Sequence, residues 1–231
     1  ACAASPCTSP STSSAWPFFL MLRRPPRSAL FPHTTPFRSL RVAPGHGYGA
    51  AGLRQVDWAL TRQQPNGWFA SNCLDDPALP LSHTIGYALR GLLEAYRYSA
   101  RAGLLHAAMR TGAGVASAVT GDGYLPGRLG PHFEPGAAYA CLTGSAQNAH
   151  CLFLLYQLTG ERRLLDAGRR LNRYVRRSVA IGGPAHIRGG VKGSFPVDGD
   201  YGTWSYLNWA AKFCIDANLL EMALDQEIRD A

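Results

Sequence analysis

The chain has 231 residues, 46% of them hydrophobic, with 25 glycines, 16 prolines and a formal net charge of +8. That length holds one domain with a substantial core. The charge is lopsided along the chain, but only one dense basic run is present, which argues against a nucleic-acid partner.

Residues 1–39 carry Arg23, Arg24, Arg27 and Arg38 and no acid. Their apolar run, FFLML at 18–22, is too short for a signal-peptide core and far too short to span a membrane. Pro25, Pro26, Pro32 and Pro36 forbid a helix, so 1–39 is predicted to be an unstructured segment ahead of a domain at 40–231. The string FFLMLRRPPRSALFPHTTPFRS resembles translated sequencing-adapter sequence of the kind found at the ends of gene models from assembled metagenomes. That resemblance implies an artefactual segment, with the biological chain beginning near Leu40 and its N-terminal part missing.

Helical periodicity begins near Gly49. A first helix is predicted over 51–64, with Leu53, Val56 and Leu60 on one face, broken by PNGW. A second spans 82–101, with apolar residues at 85, 88, 89, 92, 93 and 96 and Ser82 as its N-cap. A third runs over 104–119, a fourth over 143–159 ending at Gly160, a fifth over 161–178 and a sixth over 205–224. The run RRLLDAGRRLNRYVRR at 162–177 reads as a solvated, arginine-rich outer helix face. No stretch alternates well enough for a sheet. Glu94, mid-helix among apolar residues, must be paired or protonated if it is buried.

The order repeats as helix, glycine-aromatic loop, helix. NGWF at 66–69 and DGYL at 122–125 are 56 residues apart, and KGSF at 192–195 is a looser third copy. Such a unit cannot bury its apolar face alone, so three helical hairpins need partners, in a ring or in a solenoid. Superposing the second, fourth and sixth helices on Tyr96, Tyr156 and Ala217 aligns His83, Thr143 and Trp204 at the helix start. Tyr87, Gln147 and Asn208 then align one turn in. In a ring these groups would point into one cavity.

Six cysteines (Cys2, Cys7, Cys73, Cys141, Cys151 and Cys214) contain no CxxC pair and no zinc-ligand spacing. They read as small buried apolar residues in a reducing, cytoplasmic compartment, and neither metal nor cofactor is expected.

The segments DGYLPGRL, CLTGSAQNAHCLFLLYQLTGE and IRGGVKGSFPVDGDYGTWSYLNWAAKFCIDANLLE resemble toroid proteins of the six-hairpin glycosidase superfamily, and a group associated with polysaccharide biosynthesis in particular. The resemblance covers about 50–224. It implies an all-α fold, a partial (α/α) toroid of about three hairpins, whose funnel binds a carbohydrate or polysaccharide and whose N-terminal hairpins are missing. It implies a hydrolase or lyase, inactive as a fragment, with a non-catalytic scaffold or a terpenoid-cyclase-like toroid as alternatives. For the cyclase, CLDDP at 73–77 lacks the further Asp; no CHG zinc motif is present; of the histidines an epimerase would use, only His83 and His150 lie on the relevant helices.

Glycoside cleavage needs two carboxyl groups. Asp75 and Asp76, shortly after Trp68 and Phe69, are the catalytic candidates; Asp122, Asp198 and Asp200 lie beside glycines and read as turn formers. Trp68, Tyr124, Tyr201 and Trp204 could stack on sugar faces, with His83, Tyr87, Gln147 and Asn208 from the helix starts as polar partners. Lys192, with Arg188 and His186, forms a basic loop suited to an acidic sugar or a phosphate.

Overall fold

The computed structural model describes residues 47–230, so the N-terminal segment, Cys2 and Cys7 lie outside the described residues. Six helices follow in order: α1 (Tyr48–Leu60), α2 (Ser82–Ser99), α3 (Ala102–Ala118), α4 (Leu142–Thr159), α5 (Arg162–Ser178) and α6 (Asn208–Asp230). The expected order of elements holds. The sixth helix starts three residues later and runs further than its apolar pattern indicates, and Ser82 is not a cap. Leu81 holds the cap position of α2, and Ser82 is fully buried as the first helical residue.

Each hairpin has the same build. Short turns at Ala100–Arg101 and Gly160–Glu161 join α2 to α3 and α4 to α5. Both turn on a left-handed residue, Ala100 (φ 54°) and Gly160 (φ 71°), whose N–H closes the last helical turn on Tyr96 and Tyr156. Long connections (61–81, 119–141 and 179–207) join α1 to α2, α3 to α4 and α5 to α6. They all lie at the end where α2, α4 and α6 begin.

Packing separates two layers. α4 packs on α2 and on α6, forming the inner row, while α3 packs on α2 and α4, α5 on α4 and α6, and the two on each other, from outside. α4 is therefore enclosed on every side: residues 142–155 are all buried. Leu152, Phe153 and Leu155 anchor the core against Leu89, Leu92, Leu93, Leu104 and Leu164, each fully buried side chain contributing about 1.5–3 kcal/mol. α2 and α4 cross closely at Gly144, where a Cβ would collide with the Ser82 hydroxyl and the His83 backbone.

The repeated glycine-aromatic loops share a physical cause. Gly67 and Gly123 both have φ 92°, and each lies against the backbone of an outer helix, at Arg110 and Arg170. Only glycine permits both the dihedral and the approach. Gly193, in the third copy, has no positive φ and packs on its own loop at Tyr201 and Gly202.

A two-stranded antiparallel pair, β1 (Ala140–Cys141) with β2 (Ser194–Phe195), fastens the second long loop to the third. It is too short to leave an alternating pattern. Cys73, Cys141, Cys151 and Cys214 are buried free thiols. The arginine face of α5 is not merely solvated: Arg169 pairs with Asp225 and Arg176 with Glu221, both on α6. Glu94 is paired, 3.2 Å from Arg90.

α6 presents an exposed apolar row, Ile215, Leu219 and Met222, at helical spacing. Beside it lies a cavity of about 340 Å³, lined mainly by apolar groups from Val179, Ile181, Val191, Ala211, Cys214 and Ile215. Among the described residues no helix is long and apolar enough to cross a membrane.

Candidate functional site

The long-loop end gathers groups from all three hairpins. At its edge stands Arg128, from the loop before α4, buried and engaged on every side. Its Nη1 donates to Asp75 Oδ1 at 3.0 Å and to the Leu79 carbonyl at 2.9 Å, while Nη2 donates to Asp75 Oδ2 at 2.6 Å and Asp200 Oδ2 at 2.8 Å. One guanidinium thus joins all three long loops. The bidentate pair holds the Asp75 carboxyl down at about 2, chiefly through the Arg128 hydrogen bonds.

Asp75 is consequently ionised at any physiological pH and committed to a cation, which unfits it as a proton donor. Asp76 is committed too: its Oδ1 accepts from the backbone N–H of Ala78 at 2.9 Å and Leu79 at 3.3 Å, shaping the turn before α2. The adjacent pair expected to act as acid and base is in the structure a clamp and a turn former. Asp122 is also a turn former, accepting from Thr120 and the Tyr124 N–H. Asp198 and Asp200 are exposed beside Gly199, and Asp200 alone of these two reaches Arg128.

Inside the clamp lies an aromatic wall. The His83 ring, in the first turn of α2, is 4.7 Å from the Tyr201 ring and 5.7 Å from Tyr87, one helical turn on. Tyr87 reaches Phe213 of α6 edge-on at 5.9 Å. Trp209, in the first turn of α6, donates its Nε1–H to Tyr201 Oη at 2.9 Å with its indole half exposed. Burial keeps His83 neutral, its pKa depressed to about 4, and raises the Tyr201 hydroxyl. On α4, Gln147 is fully enclosed against Gly86, and its amide nitrogen and oxygen have no hydrogen-bond partner among the described residues. Thr143, one turn before, is likewise buried, with the Tyr201 hydroxyl beside its own.

The structure therefore brings His83, Tyr87, Gln147 and Tyr201 together and leaves the other candidates apart. Trp68 is a correction: its ring is buried in the core, edge-on to Phe133 at 5.7 Å, with no face for a sugar. Tyr124 wedges between loop and helix, donating to the Ala137 carbonyl at 2.9 Å and packing on Tyr174. Lys192 lies over Phe195 at 5.7 Å. His186 and Arg188 are exposed. Trp204 is not at a helix start: it stands four residues before α6, 73% exposed at φ 58° on a loop tip, and Asn208 takes the first helical position, exposed. The proposed superposition holds for α2 and α4 and slips on α6, where Trp209 occupies the wall.

Arg128, Tyr139 beside it and Trp209 escape the sequence reading. Arg128 lies within DGYLPGRL, but no period marks a buried loop arginine. Trp209 is masked by its neighbour Asn208, on which the superposition settles. Among the described residues no group of three or more His, Cys, Asp or Glu side chains could hold a metal ion.

No family model matches the chain, and no curated protein matches it. Solved structures do. The chain is similar to an unsaturated glucuronyl hydrolase from Bacillus sp. GL1 that degrades glycosaminoglycan (TM-score 0.63, 17% identity, covering 80% of this chain and 55% of that one). It is similar to a GH76 α-mannanase of Bacteroides thetaiotaomicron (TM-score 0.65, 17% identity, 87% and 56%). It is also similar to a cellobiose 2-epimerase from Bacillus thermoamylovorans (TM-score 0.63, 13% identity, 82% and 51%). The fold is that of an (α/α) toroid, and the chain spans about half the length of these solved structures.

Proposed function

We propose that this chain forms one wall of a carbohydrate-handling (α/α) toroid and binds an oligosaccharide or polysaccharide at the long-loop end. The observation that carries the reading is the meeting of His83 and Tyr87 from α2, Tyr201 and Trp209 from the α6 hairpin, and the unpartnered Gln147 amide of α4. The half-exposed Trp209 ring, with Tyr87 and Tyr201 partly exposed beside it, suits the C–H face of a pyranose. The enclosed Gln147 amide, unmet at a cost of about 1–3 kcal/mol, adds a polar group behind the rings. A terpenoid would call for an apolar lining instead. Similarity to three enzymes that act on sugars supports the substrate class.

In the completed ring, which further hairpins outside this chain would close, the chemistry is hydrolysis or lyase cleavage. A binding role without turnover is the second reading, favoured by the rim carboxylates, since Asp75 and Asp76 are both engaged. Calorimetry of the 231-residue chain with neutral and acidic oligosaccharides tests the proposal, alongside Tyr201→Ala and Trp209→Ala. Weaker binding by both variants supports it. Binding unaffected by either, or none by the unaltered chain, removes it.

A further inference from the structure

Below the aromatic wall the three inner helices carry a second polar constellation. Arg90 of α2 is one turn beyond Tyr87, His150 of α4 one turn beyond Gln147, and Lys212 of α6 one turn beyond Trp209. Arg90 Nη1 is 3.2 Å from His150 Nδ1 and 3.9 Å from Asp216 Oδ2, and Arg90 Nε donates to Glu94 at 3.2 Å. Lys212 pairs with Asp216. Arginine can only donate, so His150 accepts at Nδ1 and carries its proton on Nε2.

Two features set this cluster apart from a packing staple. It draws one group or more from each of the three inner helices, continuing the wall above it turn for turn. It also opens to solvent through Lys212 and Asp216, whose side chains are 41% and 27% exposed, while Arg90 and Glu94 beneath are nearly buried. Arg90 and Lys212 each meet a carboxylate, Glu94 or Asp216, around a neutral His150, with the exposed Arg97 further out.

We infer that Arg90, His150, Lys212 and Asp216 form a polar subsite for the hydroxyls of an uncharged hexose, continuing the wall inward. The inference rests on the saccharide reading above and adds the substrate class. Neighbouring hydroxyls each donate and accept, and a cation beside a carboxylate offers both roles side by side. Arg90 and Lys212 are already occupied by the cluster's own carboxylates, so a uronate gains little over a neutral sugar there.

The test is calorimetry of the full chain with cellotriose, mannotriose and a glucuronate-ended trisaccharide, using Asp216→Asn and Lys212→Met, with unfolding midpoints measured in parallel. The expected result is neutral-sugar affinity lowered about tenfold in each variant, with the uronate bound no better than the neutral sugars. A staple between helices would lower the unfolding midpoint and leave affinity unchanged, overturning the assignment, as would preferential uronate binding. If Tyr201→Ala weakens binding and Asp216→Asn does not, only this subsite falls. If no trisaccharide binds the unaltered chain, the saccharide reading falls with it.

Discussion

Arg128 grips Asp75 through two nitrogens, 3.0 and 2.6 Å from the two carboxylate oxygens, and so binds the loop after α1 to the loop after α3. Asp200 shares the second of those nitrogens and brings in the loop before α6. The shape of the candidate site therefore depends on one side chain whose partners are distant in sequence.

Arg128→Met should destabilise the fold by about 1–2 kcal/mol in urea unfolding, a figure reduced for solvent screening because Asp75 and Asp200 are 56% and 67% exposed. Arg128→Lys should restore little, since an ammonium cannot reproduce the paired fork. Full stability in the lysine variant would mean that the two-nitrogen contact does not hold the loops.

Acid should weaken the fold in two stages. His83 and His150 have pKa values depressed from 6.5 to about 4 and about 3, chiefly by burial. The unfolded chain then takes up protons that the folded one refuses, so stability complete above pH 6.5 declines towards pH 4 and below. Asp75, lowered from 3.8 to about 2, adds a loss only below about 3.8. Thermal unfolding across pH 7 to 3 should show this order, and His150→Gln should flatten the first stage. A stability constant between pH 6.5 and 4 would contradict the buried neutral histidines.

Gly123→Ala should be far worse than Gly160→Ala, although both sites have positive φ. At Gly123 a Cβ would collide with the Arg170 carbonyl, whereas Gly160 faces open space. Costs of more than about 3 kcal/mol against about 1 kcal/mol are expected, read from denaturant midpoints.

The exposed row Ile215, Leu219 and Met222 should make the chain self-associate. Sedimentation should show oligomers that dissociate on Leu219→Glu with Met222→Lys. A monodisperse unaltered monomer would show the row to be harmless.

The helices were legible because the large apolar residues of α2 and the buried face of α5 recur at helical spacing, and Gly160 ends α4 as its chemistry demands. The loop glycines were legible as a repeat because Gly67 and Gly123 meet the same steric need. The site was legible where a helix start fixed it, at His83, Tyr87 and Gln147. It was not legible where long-range pairing decides the matter. Asp75 is drawn off by an arginine 53 residues away, and Trp68 is claimed by Phe133 in the core. Neither event leaves a local pattern. Trp209 was missed because α6 begins later than its apolar period suggests.

The most direct test of the saccharide wall is the indole N–H resonance of Trp209, identified in a proton–nitrogen spectrum by its loss in Trp209→Phe. That hydrogen sits on Tyr201 Oη, at the centre of the wall. Titration with cellotriose or mannotriose should shift this resonance progressively and saturably. A resonance unmoved at millimolar sugar, in a chain that is folded, would contradict the placement of the binding wall.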